Sequence, residues 1–340
     1  MCKNMSKSLK IILIIVSILA AVSLTAVIAL SVMMNIGKKQ LLNNDDVSSL
    51  IVSDVEISYN DGKTVVYNGK TYKLNENIIS GAFIGVDNEK ISESVIGTAG
   101  QSDFLIVCAF DVETGKLVLL LIPRDTMADI DIYSPNGKYI GIEKSQICLS
   151  FAYGDGKKSS CENVVKSLER VLYGMPINAY YSIDIAAIAP LNDAVGGVTL
   201  ESLESFLDGK YEKGKEITLM GKDAAEYIRY RDKENNFSDS LRQQRQLQYV
   251  KAYSNKLIKK VKQNFLVLTD IFNTASKFSH TNIDLNEVTY LASIFLSKNM
   301  SLGEIITIPG EMKMGEQYAE YHVDNQKLLE LILKVYYIEQ

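Results

Sequence analysis

The sequence predicts one α/β domain, a central mixed β-sheet flanked by helices, held outside a membrane by a single N-terminal transmembrane helix. Three observations predict it. The run 11–36 carries no charge and exceeds the roughly 20 residues needed to span a bilayer. Several short runs are rich in Val, Ile, Leu and Phe, above all 104–110 and 117–123, which suits strands covered on both faces. Amphipathic stretches alternate with these runs, as in a layered α/β domain. With 340 residues, 47% of them hydrophobic and 23% charged, the chain can build a real core.

The elements follow in order. Lys3, Lys7 and Lys10 precede the apolar run, and only Lys38 and Lys39 follow it closely. The positive-inside rule then leaves residues 1–10 as a cytoplasmic tail and everything after about residue 40 outside the cell. A cleaved signal peptide is the competing reading, but its apolar core would be about 7–15 residues with a small-residue cleavage site behind it. Residues 37–78 read as a juxtamembrane linker with a small hairpin in KTVVYNGKTYKLN, turning at Asn68-Gly69. Residues 79–340 form the domain. GAFIGVD is a short strand ending in Asp87.

SDFLIVCAFDVETGKLVLLLIPRDT, residues 102–126, reads as a hairpin whose polar turn contains Gly115. A loop centred between Glu113 and Thr114 sets Asp103 opposite Arg124, give or take a bulge, and gathers Asp103, Arg124 and Asp125 at one end. A salt bridge capping a sheet edge is the plain alternative. Residues 127–143 read as irregular, 144–153 and 160–173 as helical, 177–185 as a strand, and 191–195 as a short helix before a Gly196-Gly197 turn. GKDAAEYIRYR begins as a helix. Residues 238–261 form a long amphipathic helix capped by Ser238 or Ser240, and KLLELILKVYY is a core helix.

Cys2 lies inside the cell, and Cys108 sits in a core strand as a small hydrophobe. Cys148 and Cys161 flank LSFAYGDGKKSS outside the membrane. A disulfide between them would close a short loop between two helical segments, an option that spacing alone leaves open.

A second charged group lies downstream. Arg229 and Arg231 share a side if the chain there is extended. Asp239, Arg242 and Gln246 share one helix face, with Arg245 close by. Arginines bind phosphate oxygens bidentately and carboxylates hold Mg²⁺, so such a convergence suits a pyrophosphate with a divalent metal. A solvated helix with ion pairs is the bland alternative, since 222–245 holds six basic residues against five acidic ones. A net charge of −5 argues against a bulk attraction to nucleic acid. His280 and His322 lack metal-ligand spacing, and no P-loop, dinucleotide fingerprint or nucleophile elbow occurs.

The ordered set FIGVD, SDFLIV, LLLIPRDT, FAYGDG, LNDAVGGV, LMGKDAAEYIRYRD and DSLRQQRQ resembles the LytR-CpsA-Psr family of Gram-positive envelope proteins over residues 79–260, roughly half the chain. The resemblance implies a membrane-anchored phosphotransferase. Such proteins move a glycopolymer, teichoic acid or capsule, from a polyprenyl-pyrophosphate carrier to a peptidoglycan hydroxyl. By motif, Asp103 would hold Mg²⁺ (or Mn²⁺) with Asp125 near it, and Arg124, Arg229, Arg231 and Arg242 would clamp the pyrophosphate. Gln246 would donate a further hydrogen bond and Asp239 would orient the arginines. Asp103 or Asp125 is the local candidate for the base, and the apolar helices would receive the lipid tail. Two positions depart from the pattern. Gln101 stands where the family often has Arg, and Gln146 where it has Lys; Lys144, two residues earlier, could reach in instead. Two rival readings stay open: a polyprenyl-phosphate binding protein or pyrophosphatase that transfers nothing, and a transcriptional attenuator.

Overall fold

The computed structural model describes residues 28–42, 58–59, 63–86, 96–232, 238–264, 266–298 and 304–340. Residues 28–41 form helix α1. Residues 11–27 of the expected membrane span lie outside the described residues, as does Asp87. Among the described residues no helix is long and apolar enough to cross a membrane.

Strands β1 (Ser58–Tyr59), β2 (Thr64–Tyr67) and β3 (Lys70–Leu74) form a small antiparallel sheet. The β2–β3 turn is the expected Asn68-Gly69, with φ of 50° and 74°, the positive values that a two-residue hairpin turn requires. Strands β4 (Ile78–Val86), β5 (Ser102–Asp111) and β6 (Leu117–Ile122) follow. The β5–β6 register is the expected one, with Leu105 opposite Ile122 and Phe110 opposite Leu117. Asp111 closes the turn by accepting from the Glu113 and Thr114 backbone N–H groups at 2.9 and 3.0 Å.

Residues 127–143 are not irregular. They belong to a second hairpin, β7 (Met127–Tyr133) and β8 (Tyr139–Gln146). Buried Ala128 and Ile130 alternate with the acids Asp129 and Asp131, a period-2 pattern that makes a strand, and Gly137 at φ 82° turns the chain. The helix expected from residue 144 therefore begins later, as a short 3₁₀ helix over Ile147–Tyr153.

The chain continues through α2 (Lys158–Val171), β9 (Ala179–Asp184), α3 (Ile188–Ala194), β10 (Val198–Glu201), β11 (Glu216–Leu219), α4 (Lys222–Arg229), α5 (Ser238–Gln263), α6 (Val267–Ala275), β12 (Ser279–Thr281) and α7 (Leu285–Ser297). It ends with β13 (Glu304–Thr307), β14 (Gly310–Met314), β15 (Ala319–Val323), α8 (Asn325–Tyr336) and β16 (Tyr337–Glu339). The central sheet has the order β12-β9-β4-β5-β6-β13. Its β4–β9 and β6–β13 pairs are parallel and the others antiparallel, so it is mixed.

One sheet face presents Ala82, Ile84, Leu105, Val107, Leu120 and Ile122 to a core completed by Phe151, Val164, Leu168, Leu329 and Ile332 from the 3₁₀ segment, α2 and α8. The opposite face carries Phe83, Phe104, Ile106, Leu119 and Leu121, and Leu247 of α5 packs on it. A third cluster gathers α3, α4, α5 and α6 around Leu191, Tyr227, Tyr249 and Ile271.

Cys148 and Cys161 are both free thiols and both buried, so the disulfide left open by their spacing is not formed. The helix α2 turns Cys161 into the core beside Val164 and Ser182, while Cys148 faces Gln101 at the rim of β5.

Candidate functional site

The charged rim is built by two local devices. Gly85 pairs with Phe104 but Val86 pairs with Ser102, so Asp103 is the extra residue of a β-bulge. A bulge re-aims the side chain it carries. On the neighbouring strand, Pro123 has no N–H to extend the ladder and β6 stops. The Pro123 carbonyl then accepts from both the backbone N–H and the hydroxyl of buried Thr126, at 3.0 and 2.6 Å. That turn projects Arg124 and Asp125. Its carbonyls are taken up by the next segment: Ile147 N–H donates to Thr126 O at 2.8 Å and Cys148 N–H to Arg124 O at 3.1 Å.

Arg124 therefore meets Asp103 as the hairpin register anticipates, in a direct ion pair. Its Nε lies 3.5 Å from Asp125 Oδ1, and its Nη2 donates to Gln101 Oε1 at 2.8 Å. The three charged side chains are mostly covered, with 28% of Arg124, 18% of Asp103 and 25% of Asp125 exposed. Burial opposes the Arg124 charge, but Asp103 first, then Cys148 and Asp125, outweigh it and raise its pKa. Burial pushes the Cys148 thiol up to about 11, against the pull of Arg124. Gln146 enters the cluster as well, its amide donating to Asp125 Oδ1 at 3.0 Å and to the Ala319 carbonyl at 2.8 Å. The backbone N–H of Tyr321 on β15 donates to Asp125 O at 2.8 Å. These β15 contacts were not legible along the chain, because they join positions far apart in sequence, 173 residues in the case of Gln146 and Ala319.

Lys144 is elsewhere. It is exposed, opposite Asp129 in the β7–β8 register, with its ammonium 3.6 Å from that carboxylate. The neutral Gln146 is the residue that reaches Asp125 at this rim.

The second group gathers where α4 ends and α5 packs against it. Arg229 is the last residue of α4, and Arg231 follows the extended residue Tyr230 (ψ 135°), so neither is inside a continuing helix. Arg242 and Gln246 lie on α5, and the Gln246 amide faces the Ile228 carbonyl at 3.5 Å. The Asp239 side chain and the expected serine cap lie outside the described residues. Leu247, next to Gln246, packs on the apolar face with Phe104, the neighbour of Asp103. The face continues through Phe83, edge-on to Phe104 at 6.3 Å and stacked with Tyr181 at 6.5 Å. Arg245, which the sequence places close by without a role, is buried among aromatic rings beside this group. Its i, i+3 spacing from Arg242 and the nearby Tyr227 and Tyr230 were the available signal.

The donor set can be weighed against a metal. Two carboxylates, Asp103 and Asp125, offer oxygen ligands only, and no group of three or more His, Cys, Asp or Glu converges among the described residues. Such a pair suits Mg²⁺ or Mn²⁺ completed by phosphate oxygens and water, and does not suit a metal held by protein alone.

Residues 52–334 match the LytR_cpsA_psr family. The chain is 32% identical over 160 residues to the polyisoprenyl-teichoic acid–peptidoglycan teichoic acid transferase TagU of Oceanobacillus iheyensis, covering 47% of each chain, so it spans about half of that relative's length. It is 30% identical over 244 residues to the Bacillus cereus protein of the same name, covering 68% of this chain and 69% of that one. In fold it is similar to the crystal structure of B. subtilis TagV, with a TM-score of 0.56 and 23% identity over 77% of this chain and 96% of that one.

Proposed function

The chain belongs to the LytR_cpsA_psr family, and on that premise we propose that it is a membrane-anchored phosphotransferase. It would move a teichoic acid or capsular polysaccharide from a polyprenyl-pyrophosphate carrier to a peptidoglycan hydroxyl. One observation carries the reading. Arg124 sits between Asp103 and Asp125 at the end of a sheet whose adjoining face is apolar. A substrate with a doubly charged head and a hydrocarbon tail meets both surfaces there. The names of the relatives in O. iheyensis and B. cereus support the same substrate class.

The chemistry asks little covalent work of the protein. The acceptor hydroxyl attacks the phosphorus that bears the glycan, the phosphoanhydride bond breaks, and the polyprenyl phosphate leaves with the bonding electrons. Arg124, Arg229, Arg231 and Arg242 stabilise the charge that grows on the leaving phosphate, since fixed donors in a covered site are worth more than in water. Gln246 adds a neutral donor. Asp103 or Asp125 takes the hydroxyl proton. Mg²⁺ or Mn²⁺ held by these two carboxylates would supply further neutralisation of the pyrophosphate. Lys144 must leave Asp129 to join. The apolar face under Phe104 and Leu247 takes the first units of the tail.

Location completes the proposal. The uncharged run 11–36 would span the membrane, with Lys3, Lys7 and Lys10 inside and the domain outside.

The test uses the full-length chain in detergent with a synthetic polyprenyl-pyrophosphate oligosaccharide, peptidoglycan fragments and Mg²⁺, and mass spectrometry of the products. The expected result is a glycan-phosphate–peptidoglycan product that disappears with EDTA and falls at least about a hundredfold in Asp103→Ala and Arg124→Ala, the size of losing a fixed charge partner in such a site. Binding without product would make the protein a carrier-binding protein. Free phosphorylated glycan without transfer would make it a pyrophosphatase.

A further inference from the structure

The C-terminal end of α4 is gripped by a residue to which the proposed chemistry gives no task. Arg245 of α5 is only 1% exposed. Its Nε donates to the Tyr227 carbonyl at 2.8 Å, its Nη2 donates to the Tyr230 carbonyl, and its Nη1 pairs with Glu204. The guanidinium lies 5.0 Å from the Phe206 ring, 5.6 Å from Tyr230 and 6.0 Å from Tyr227. All three guanidinium nitrogens therefore have a partner, and three aromatic rings lie close to the group.

The ending of α4 explains what this achieves. The last carbonyls of a helix have no partner within it. α4 stops because Tyr230 turns extended, and the carbonyls of Tyr227 and Tyr230 lie on either side of Arg229. Arg245 supplies donors to both, and Gln246 faces the Ile228 carbonyl between them. The backbone that bears Arg229 and leads into Arg231 is thereby fastened to α5, the helix that bears Arg242. Packing alone does not call for an arginine here. An apolar side chain among Phe206, Tyr227 and Tyr230 would avoid the cost of burying a charge. Burial pulls the Arg245 pKa down to about 10, which still leaves it charged at neutral pH.

We infer that Arg245 is a positioning residue: it sets the path from which Arg229 and Arg231 project and registers them with Arg242 as one anion clamp. The inference rests on the proposed function, which supplies the anion.

The experiment titrates the full-length chain in detergent with farnesyl pyrophosphate by calorimetry and follows thermal unfolding in parallel. The variants are Arg245→Lys, Glu204→Gln, Arg229→Ala, the double variant Arg245→Lys/Arg229→Ala, and Arg124→Ala. Lys keeps the charge, but its donors sit on one compact nitrogen and do not span the acceptors that the three guanidinium nitrogens reach separately. Arg245→Lys is expected to bind at least roughly tenfold more weakly at temperatures where it is folded, the size of one or two charge-assisted hydrogen bonds. The double variant is expected to lose little more than the worse single variant, since Arg229 works only when placed. Glu204→Gln, which leaves Arg245 and Arg229 in place and weakens only the ion pair to Arg245, is expected to lose less, by the same route. Folded Arg245→Lys and Glu204→Gln proteins that bind like wild type, while Arg124→Ala does not, would overturn this inference alone. Losses that simply multiply in the double variant would also overturn it. A wild type that binds no farnesyl pyrophosphate would remove the proposed function and this inference with it.

Discussion

Arg124 is held from three directions, by Asp103, Asp125 and Gln101, and the arrangement has a consequence for its buried neighbour. The Cys148 sulfur lies 4.0 Å from the Gln101 amide oxygen, with its thiol raised to about 11 mainly by burial. Reactivity follows the thiolate. At pH 7.5 Cys148 is therefore protonated as well as covered, despite the arginine nearby. Labelling by iodoacetamide is expected to be slow at pH 7.5 and to accelerate as the pH rises from 9 towards 11, read by mass spectrometry of the tryptic peptide 145–157. Labelling at the rate of a free thiol at pH 7.5 would show that Arg124 controls the thiol and that the cluster is more open than its exposures indicate. The same residue scale explains why Asp103 is placed where it is. A regular strand would alternate it to the face opposite Phe104, and the bulge removes that constraint.

Among the elements, α2 shows how a loop residue secures a helix that supports the site. Asp155 accepts from the backbone N–H groups of Lys157, Ser159 and Ser160, at 2.8, 3.1 and 3.4 Å, at the start of α2. Burial acts to raise its pKa, but these hydrogen bonds prevail and hold it below the usual 3.8. A carboxyl with a depressed folded pKa adds stability that is complete above its unfolded value and fades as pH falls through the folded one. Asp155→Ala is expected to cost about 1 kcal/mol at pH 7, the usual worth of such a cap. Denaturant unfolding should show the gap between wild type and variant narrowing below pH 3.8. A gap independent of pH would mean that packing and not the charge makes the contact. The β7–β8 hairpin is the element the letters disguised. Its acids at Asp129 and Asp131 look like loop chemistry, yet Asp131 is buried and paired with Arg170 of α2 at 2.7 Å.

For the whole molecule, the main question is how the chain leading out of the apolar run meets the domain. α1 is docked. Leu41 is fully buried with Ile79, Ala179 and Tyr290, and Met34 packs on the same cluster. A side chain at Gly37 would run into the backbone of Asn286 and Glu287 at the start of α7, so glycine is what lets the two helices touch. Gly37→Leu is expected to lift α1 off α7. Hydrogen exchange in 28–41 should then speed up while the amides of β4, β5 and β6 keep their protection. Unchanged exchange in 28–41 would show that this contact does not hold the helix. The C-terminal segment is equally integral, because α8 buries Leu328, Leu329, Ile332 and Leu333 in the main core and β16 pairs with β3.

Along the chain, apolar period and turn residues were enough to read the β5–β6 hairpin, its register and the meeting of Asp103 with Arg124, because each depends on neighbours a few residues apart. The Asn68-Gly69 turn, the long α5 and the core helix α8 were legible for the same reason. The ordered motifs carried the family. The folded chain alone decided that Cys148 and Cys161 face different partners, that Gln146 and not Lys144 reaches Asp125, that β15 closes the rim, and that Arg245 fastens α4 to α5. Those contacts join residues distant in sequence, and which side chains meet there is set by how helices and strands stack, a packing outcome that no local periodicity encodes.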